Sequence, residues 1–146
     1  MNTNDAKATV HFAGDGLFVG IAPSGHAVTL DTDHERNSAP TPIELLLIAL
    51  GSCTGVDVVG ILKKKRERVT GYKVEVLGKR RSEHPRSFER MQVHHIVTGH
   101  NVSEKSVAQA IELSESKYCS VAATLKPTVQ ILSSYSIVEE LREEND

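Results

Sequence analysis

Cysteine is scarce in this chain: Cys53 and Cys119 are the only two. So low a count excludes a disulfide-rich secreted scaffold, and the lack of any CxxC pair excludes a zinc knuckle or a thioredoxin-like site. Positive charge is not in excess, since 17 Lys and Arg stand against 19 Asp and Glu, for a formal net charge of −2. That balance argues against nucleic-acid binding, which usually needs a basic domain. The runs Lys63 to Arg68 and Lys79 to Arg81 have no interleaved aromatics for base stacking, so they read as solvated faces. No run of about 18 or more uncharged apolar residues is present, and no membrane span is expected. The opening MNTNDAKATV lacks a basic region followed by an apolar stretch, so no secretory signal is expected and the cytoplasm is the default location.

What is there suits one globular domain over residues 1–146. Hydrophobic residues make up 39% and charged ones 25%, which excludes a disordered or collagen-like chain. The first third reads as three short strands, Ala8 to Phe12, Leu17 to Ile21 and His26 to Leu30. The turns Gly14-Asp15-Gly16 and Pro23-Ser24-Gly25 join them into an antiparallel meander. A polar loop, DTDHERNSAPT, follows over residues 31–41. Thr41, Pro42 and Glu44 then make a capping box at the start of a helix.

That helix is the most apolar stretch of the chain, running from Ile43 past Leu62. A helix apolar on nearly all sides must be surrounded on nearly all sides, by sheets or by a partner chain. Gly51-Ser52 is expected to kink or divide it. Beyond it, Tyr72 to Val76 and Phe88 to Thr98 read as a long hairpin. Ser103 caps a second helix whose stripe is Val107, Ile111, Ser114 and Tyr118. Lys126 to Leu132 reads as a last strand, and Ile137 to Glu144 as a short acidic, helical tail. The order is that of an α+β fold.

Four residues could carry chemistry. Cys53 sits inside the apolar helix, where a cysteine is either a small buried hydrophobe or a protected nucleophile. Cys119 lies just past the amphipathic stripe. Two lone cysteines on different helices form a reversible disulfide if their Cα atoms come within about 7 Å. In a reducing compartment such a bond is catalytic rather than structural. Glu44 either closes the capping box or holds a cation. Arg36, in the polar loop, is either solvated or lowers a nearby thiol pKa. Glu44 and Cys53 are nine residues apart, so on one straight helix they point in nearly opposite directions, about 13 Å apart along the axis. To act together they need a broken helix or a second subunit, and a homodimer with composite sites is expected. The seven histidines include no HxxxH or HExxH spacing, and no metal site is expected. His94 and His95 should face opposite sides of a strand.

Pro40-Thr41-Pro42-Ile43-Glu44-Leu45-Leu46-Leu47, then Ala49-Leu50-Gly51-Ser52-Cys53, then Lys117-Tyr118-Cys119-Ser120-Val121, resembles the OsmC/Ohr family over nearly the whole chain. It looks most like the OsmC-like subgroup. The resemblance implies an intertwined homodimer, with antiparallel sheets wrapped around a long buried central helix and two sites at the subunit interface. It also implies a thiol peroxidase of oxidative stress defence that reduces organic hydroperoxides to alcohols. Cys53 matches the peroxidatic cysteine and Cys119 the resolving one. Glu44 matches a glutamate that, with an arginine, orients the thiolate, and Arg36 matches the arginine by approximate spacing. No cofactor is implied; the reductant is a small dithiol or a lipoylated protein. Two departures stand out: Ser120 occupies a position where proline often follows the second cysteine, and Gly14-Asp15-Gly16 carries no arginine. An apolar lining from Leu46, Leu47, Ile48 and Leu50 would favour alkyl hydroperoxides. Two other functions fit the same residues: a non-catalytic dimer binding a small apolar ligand at its interface, and a redox sensor using the cysteine pair.

Overall fold

The computed structural model describes residues 4–141. The chain divides into two compact units, Met1–Leu46 and Leu47–Asp146.

The first unit is the expected meander, β1 (Thr9–Gly14), β2 (Leu17–Ile21) and β3 (Ala27–Asp31), with antiparallel pairing in the order β1-β2-β3. Its first turn needs left-handed backbone at Gly14, Asp15 and Gly16, with φ of 95°, 49° and 80°. Glycine takes that conformation without steric cost, and short polar Asp tolerates it. The helix α1 (Pro42–Lys64) then starts in this unit with the expected capping box. The Thr41 N–H and hydroxyl both donate to Glu44 Oε1, at 3.0 and 2.7 Å, and the Glu44 N–H donates back to Thr41 Oγ1 at 3.3 Å.

The second unit holds the rest of α1, the hairpin β4 (Arg68–Arg80) and β5 (Phe88–His100), the helix α2 (Glu104–Leu113), a π-helical turn over Ser114–Tyr118, the helix α3 (Ser120–Leu125) and the strand β6 (Gln130–Glu139). Gly51 and Ser52 do not break α1. A Cβ on Gly51 would lie 3.1 Å from Val76 Cγ2, and one on Gly55 3.1 Å from the Tyr72 ring, so the two glycines let the helix lie close on β4. The Ser52 hydroxyl donates to the Ile48 carbonyl at 2.8 Å and stays within the helix. Below this face Val58, Leu62, Val97, Val107, Ala110 and Ile111 form one buried cluster. Burying a Val or Leu side chain contributes about 1.5–3 kcal/mol.

Two expectations need correction. The second sheet is mixed rather than antiparallel, because β6 pairs parallel to β5. The crossover through α2 and α3 carries the chain back to the start of β5, which is what a parallel neighbour requires. The last strand is Gln130–Glu139 rather than 126–132, since Lys126 caps α3 and the Thr128 and Val129 N–H groups turn back to the Leu125 carbonyl. Ile137 to Glu139 is therefore strand, not helix, and residues 142–144 of the expected tail lie outside the described residues. Within the second unit, α1 buries the face that meets the sheet. Leu50, Gly51, Thr54, Gly55, Val58 and Leu62 are covered, whereas Ile48 and Val56 are 56% and 74% exposed.

At 23 residues and a mean hydropathy of 2.2 over its most apolar window, α1 has the length and composition of a membrane span. The core helix of a soluble protein passes the same test. Here the covered face packs on a sheet, and Asp57 in mid-helix is hydrogen-bonded to Ser114.

Candidate active site

The second unit brings Cys53 and Cys119 side by side. Cys53 is half-buried on α1, Cys119 is buried with 3% of its surface exposed, and both thiols are free. Burial pushes the Cys119 thiol up to about 11, and the neighbouring Cys53 side chain adds to the shift. The Ala122 N–H, which donates to Cys119 Sγ at 3.3 Å, works the other way. Cys119 therefore keeps its proton at neutral pH, and Cys53 is the more accessible sulfur.

Cys119 does not end an ordinary α-helix. The α2 helix stops at Leu113, and the Cys119 N–H reaches back to the Ser114 carbonyl at 2.8 Å, the bond that closes the π turn. Such turns are rare and frequently mark functional sites. Ser114 is fully buried, and its hydroxyl donates to Asp57 Oδ2 at 2.8 Å. The same Ser114 oxygen lies 3.0 Å from Thr54 Oγ1. The Ser114 hydroxyl has one proton and gives it to Asp57, so Thr54 must donate in the second bond. Thr54 directly follows Cys53, and Asp57 lies one helical turn beyond it, on the same helix face as Cys53.

Arg36 and Glu44 lie in the first unit. Arg36 is held by Asp31, with Nε to Oδ2 at 2.9 Å and an Nη2 hydrogen to Oδ1 at 2.8 Å; Nη2 also reaches the Asp15 carbonyl at 2.7 Å. This fork keeps the Asp31 carboxyl far below the usual carboxylate range, with the Ser38 hydroxyl helping, and it raises Arg36. Glu44 is exposed and bonded to Thr41, whose hydroxyl lowers its pKa. The carboxylate that orients Arg36 within the chain is thus Asp31.

A family model described as OsmC-like protein matches residues 34–133. The chain belongs to the OsmC-like family. It is 42% identical over 125 residues to Protein YhfA of Escherichia coli K12, covering 85% of this chain and 92% of that protein. A crystal structure of a hypothetical protein from Aquifex aeolicus superposes with a TM-score of 0.84 at 34% identity, covering 95% of this chain and all of the other. A more distant solved structure is an organic hydroperoxide resistance protein OsmC from Legionella pneumophila. It has a TM-score of 0.68 at 13% identity and covers 93% of this chain and 99% of that one, a likeness of fold.

Within this OsmC-like fold the sequence reading missed Thr54, Asp57, Ser114 and Asp31. Asp57 carried a signal, as the single acid between Glu44 and the basic end of an apolar helix, where a carboxylate needs a partner. Ser114 carried a weaker one, a small hydroxyl residue in a stripe otherwise made of Val107, Ile111 and Tyr118. His94 and His95 do face opposite sides of β5. His95 is buried, with Nδ1 2.7 Å from the Tyr72 hydroxyl, while His94 meets Ser134 and Ser136 at 2.7 and 3.0 Å.

Proposed function

We propose that this chain is a thiol peroxidase of the cytoplasm that reduces organic hydroperoxides to alcohols, using Cys53 as the peroxidatic and Cys119 as the resolving cysteine. The observation that carries the reading is the adjacency of two free thiols of unequal character. Cys53 is partly accessible, and Cys119 is buried and held protonated by a pKa near 11. Family membership and the fold shared with a hydroperoxide resistance protein support it.

In the first step the Cys53 thiolate attacks the distal peroxide oxygen. The O–O bond breaks, the alkoxide takes a proton and leaves as the alcohol, and Cys53 becomes a sulfenic acid. The Cys119 sulfur then attacks the Cys53 sulfur. Its proton leaves with the hydroxyl as water, and a disulfide forms. Thiol–disulfide exchange with an external dithiol, small or lipoyl, restores both thiols. Leu47, Ile48, Gly51, Ser52, Val74 and Val76 line an apolar groove on the turn before Cys53, suited to an alkyl or aryl group.

Arg36 enters as the cation that favours the thiolate and guides the alkoxide's charge, and Glu44 as a carboxylate that orients the site by holding a cation. Because α1 is unbroken, Glu44 and Cys53 of one chain point apart, so the complete site is a composite of two copies in a homodimer. The bare apolar flank of α1, with Ile48 and Val56 exposed, is the surface such a partner would cover. The apolar groove equally favours a second function, a dimer that binds a small apolar ligand without chemistry.

Steady-state consumption of cumene hydroperoxide with a dithiol reductant tests the proposal. Turnover by the wild type that is lost in Cys53→Ser supports it, and equal turnover in the variant would sink it. No turnover at all, with an apolar ligand raising the melting temperature of the Cys53→Ser/Cys119→Ser protein as much as the wild type, supports the binding function instead.

A further inference from the structure

We infer that Ser114 is a positioning residue that sets the spacing of the two thiols, and that Thr54 and Asp57 are the clamp that holds it. The inference rests on the redox role of the cysteine pair but not on the identity of the oxidant. Ser114 is tied both to the helix that carries Cys53 and to the backbone of Cys119. Its hydroxyl is fixed to α1 through Asp57 at 2.8 Å and Thr54 at 3.0 Å, and Thr54 is the residue next to Cys53. Its carbonyl accepts the N–H of Cys119 at 2.8 Å through the π turn. A continuous path of short bonds therefore runs from the residue beside Cys53 to the backbone of Cys119, through a side chain with no exposed surface.

The bond to Asp57 ends on a carboxylate, so it belongs to the stronger, charge-assisted class. Such a bond resists a slide of the π turn along α1, which would separate the sulfurs. The π turn also explains why the path is needed. Its wide bonding replaces the α-helical ladder that would otherwise fix Cys119, and five residues, Ser114–Tyr118, stand between α2 and Cys119. Without the clamp the two thiols would sample a wider range of separations. Their effective concentration, and with it the stability of the disulfide relative to the dithiol, would fall. Disulfide closure here joins the two sulfurs and breaks the S–S bond of the oxidised dithiol, which takes up the two electrons and two protons and leaves as the reduced dithiol.

The experiment is a redox equilibrium at pH 7 between the full-length protein and mixtures of reduced and oxidised dithiothreitol, with the disulfide fraction read by alkylation and mass spectrometry. Ser114→Ala and Thr54→Val are each expected to lower the equilibrium constant for disulfide formation at least about tenfold, a rise of about 30 mV in potential. Thr54→Ser, which keeps the hydroxyl, is expected to stay within about twofold of the wild type, on the same scale of exchange equilibria. In a Cys119→Ser background, Ser114→Ala should leave the alkylation rate of Cys53 unchanged, which places the effect on the pairing of the thiols. A constant within twofold of wild type in folded Ser114→Ala overturns the inference. If that variant does not fold, equal constants for Thr54→Val and Thr54→Ser overturn it. A wild type that forms no Cys53–Cys119 disulfide at any buffer ratio overturns both this inference and the proposed function. A wild type that closes the disulfide but consumes no hydroperoxide removes the peroxidase alone, and the clamp is then judged by the same constants.

Discussion

Acidification should weaken this protein through His95, and the size of the effect follows from its surroundings. The imidazole has no exposed surface. Its Nδ1 is paired with the Tyr72 hydroxyl at 2.7 Å, and its Nε2 has no partner. Burial, with a smaller contribution from His94, lowers its pKa from 6.5 to about 4. A histidine whose native pKa lies below its unfolded one binds fewer protons folded than unfolded across that window. Its contribution is therefore complete above pH 6.5, declines as the pH falls, and is lost by the native value near 4. At about 1.4 kcal/mol per pKa unit, the loss reaches about 2 kcal/mol at pH 5 and about 3 kcal/mol in full. The assay is urea unfolding at pH 7 and pH 5, at one protein concentration, for the wild type and for His95→Asn, which retains a partner for Tyr72. Every other titratable group is common to the two proteins, so the difference between them isolates His95. The wild type should lose about 2 kcal/mol more than the variant between the two pH values. Equal losses would refute the account of His95 as a neutral, buried group.

Two further outcomes test the architecture. A Cβ on Gly99 would stand 2.1 Å from the Arg68 carbonyl oxygen, a backbone atom that cannot step aside. Gly99→Ala should therefore destabilise by about 3 kcal/mol or more, seen as a lower urea midpoint. Thr41→Ala removes the cap of α1 and should cost about 1 kcal/mol, with a smaller loss for Thr41→Ser, by the same measurement.

Local chemistry was legible in the sequence where it is local in the structure. The Gly14-Asp15-Gly16 turn and the Thr41–Glu44 box each close within a few residues, and both appear as read. The apolar helix and the cysteine pair were legible as residues. The adjacency of the thiols was not, because it depends on where the π turn delivers Cys119. Ser133, Ser134 and Ser136 hid the strand β6, since an edge strand is held by backbone pairing to β5 and needs no apolar alternation. Gly51 misled for the opposite reason: a helix breaker in isolation, it is a close-packing residue once Val74 and Val76 lie beneath it. The carboxylate bound to Arg36 was within reach at Asp31, five residues upstream, at the start of the polar loop where sequence reasoning left Arg36 either solvated or beside a thiol. Thr54, Asp57 and Ser114 meet across nearly half the chain, and no local pattern announces such a contact.

The most direct test of the account is a single-turnover titration of fully reduced protein with one equivalent of cumene hydroperoxide per chain, followed by intact mass and peptide mapping. The account predicts stoichiometric loss of peroxide and a Cys53–Cys119 disulfide, two hydrogens lighter, in the wild type. It predicts a sulfenic acid on Cys53 in Cys119→Ser, and no reaction in Cys53→Ser. Peroxide left unconsumed by the reduced wild type, or consumed equally by Cys53→Ser, would contradict it.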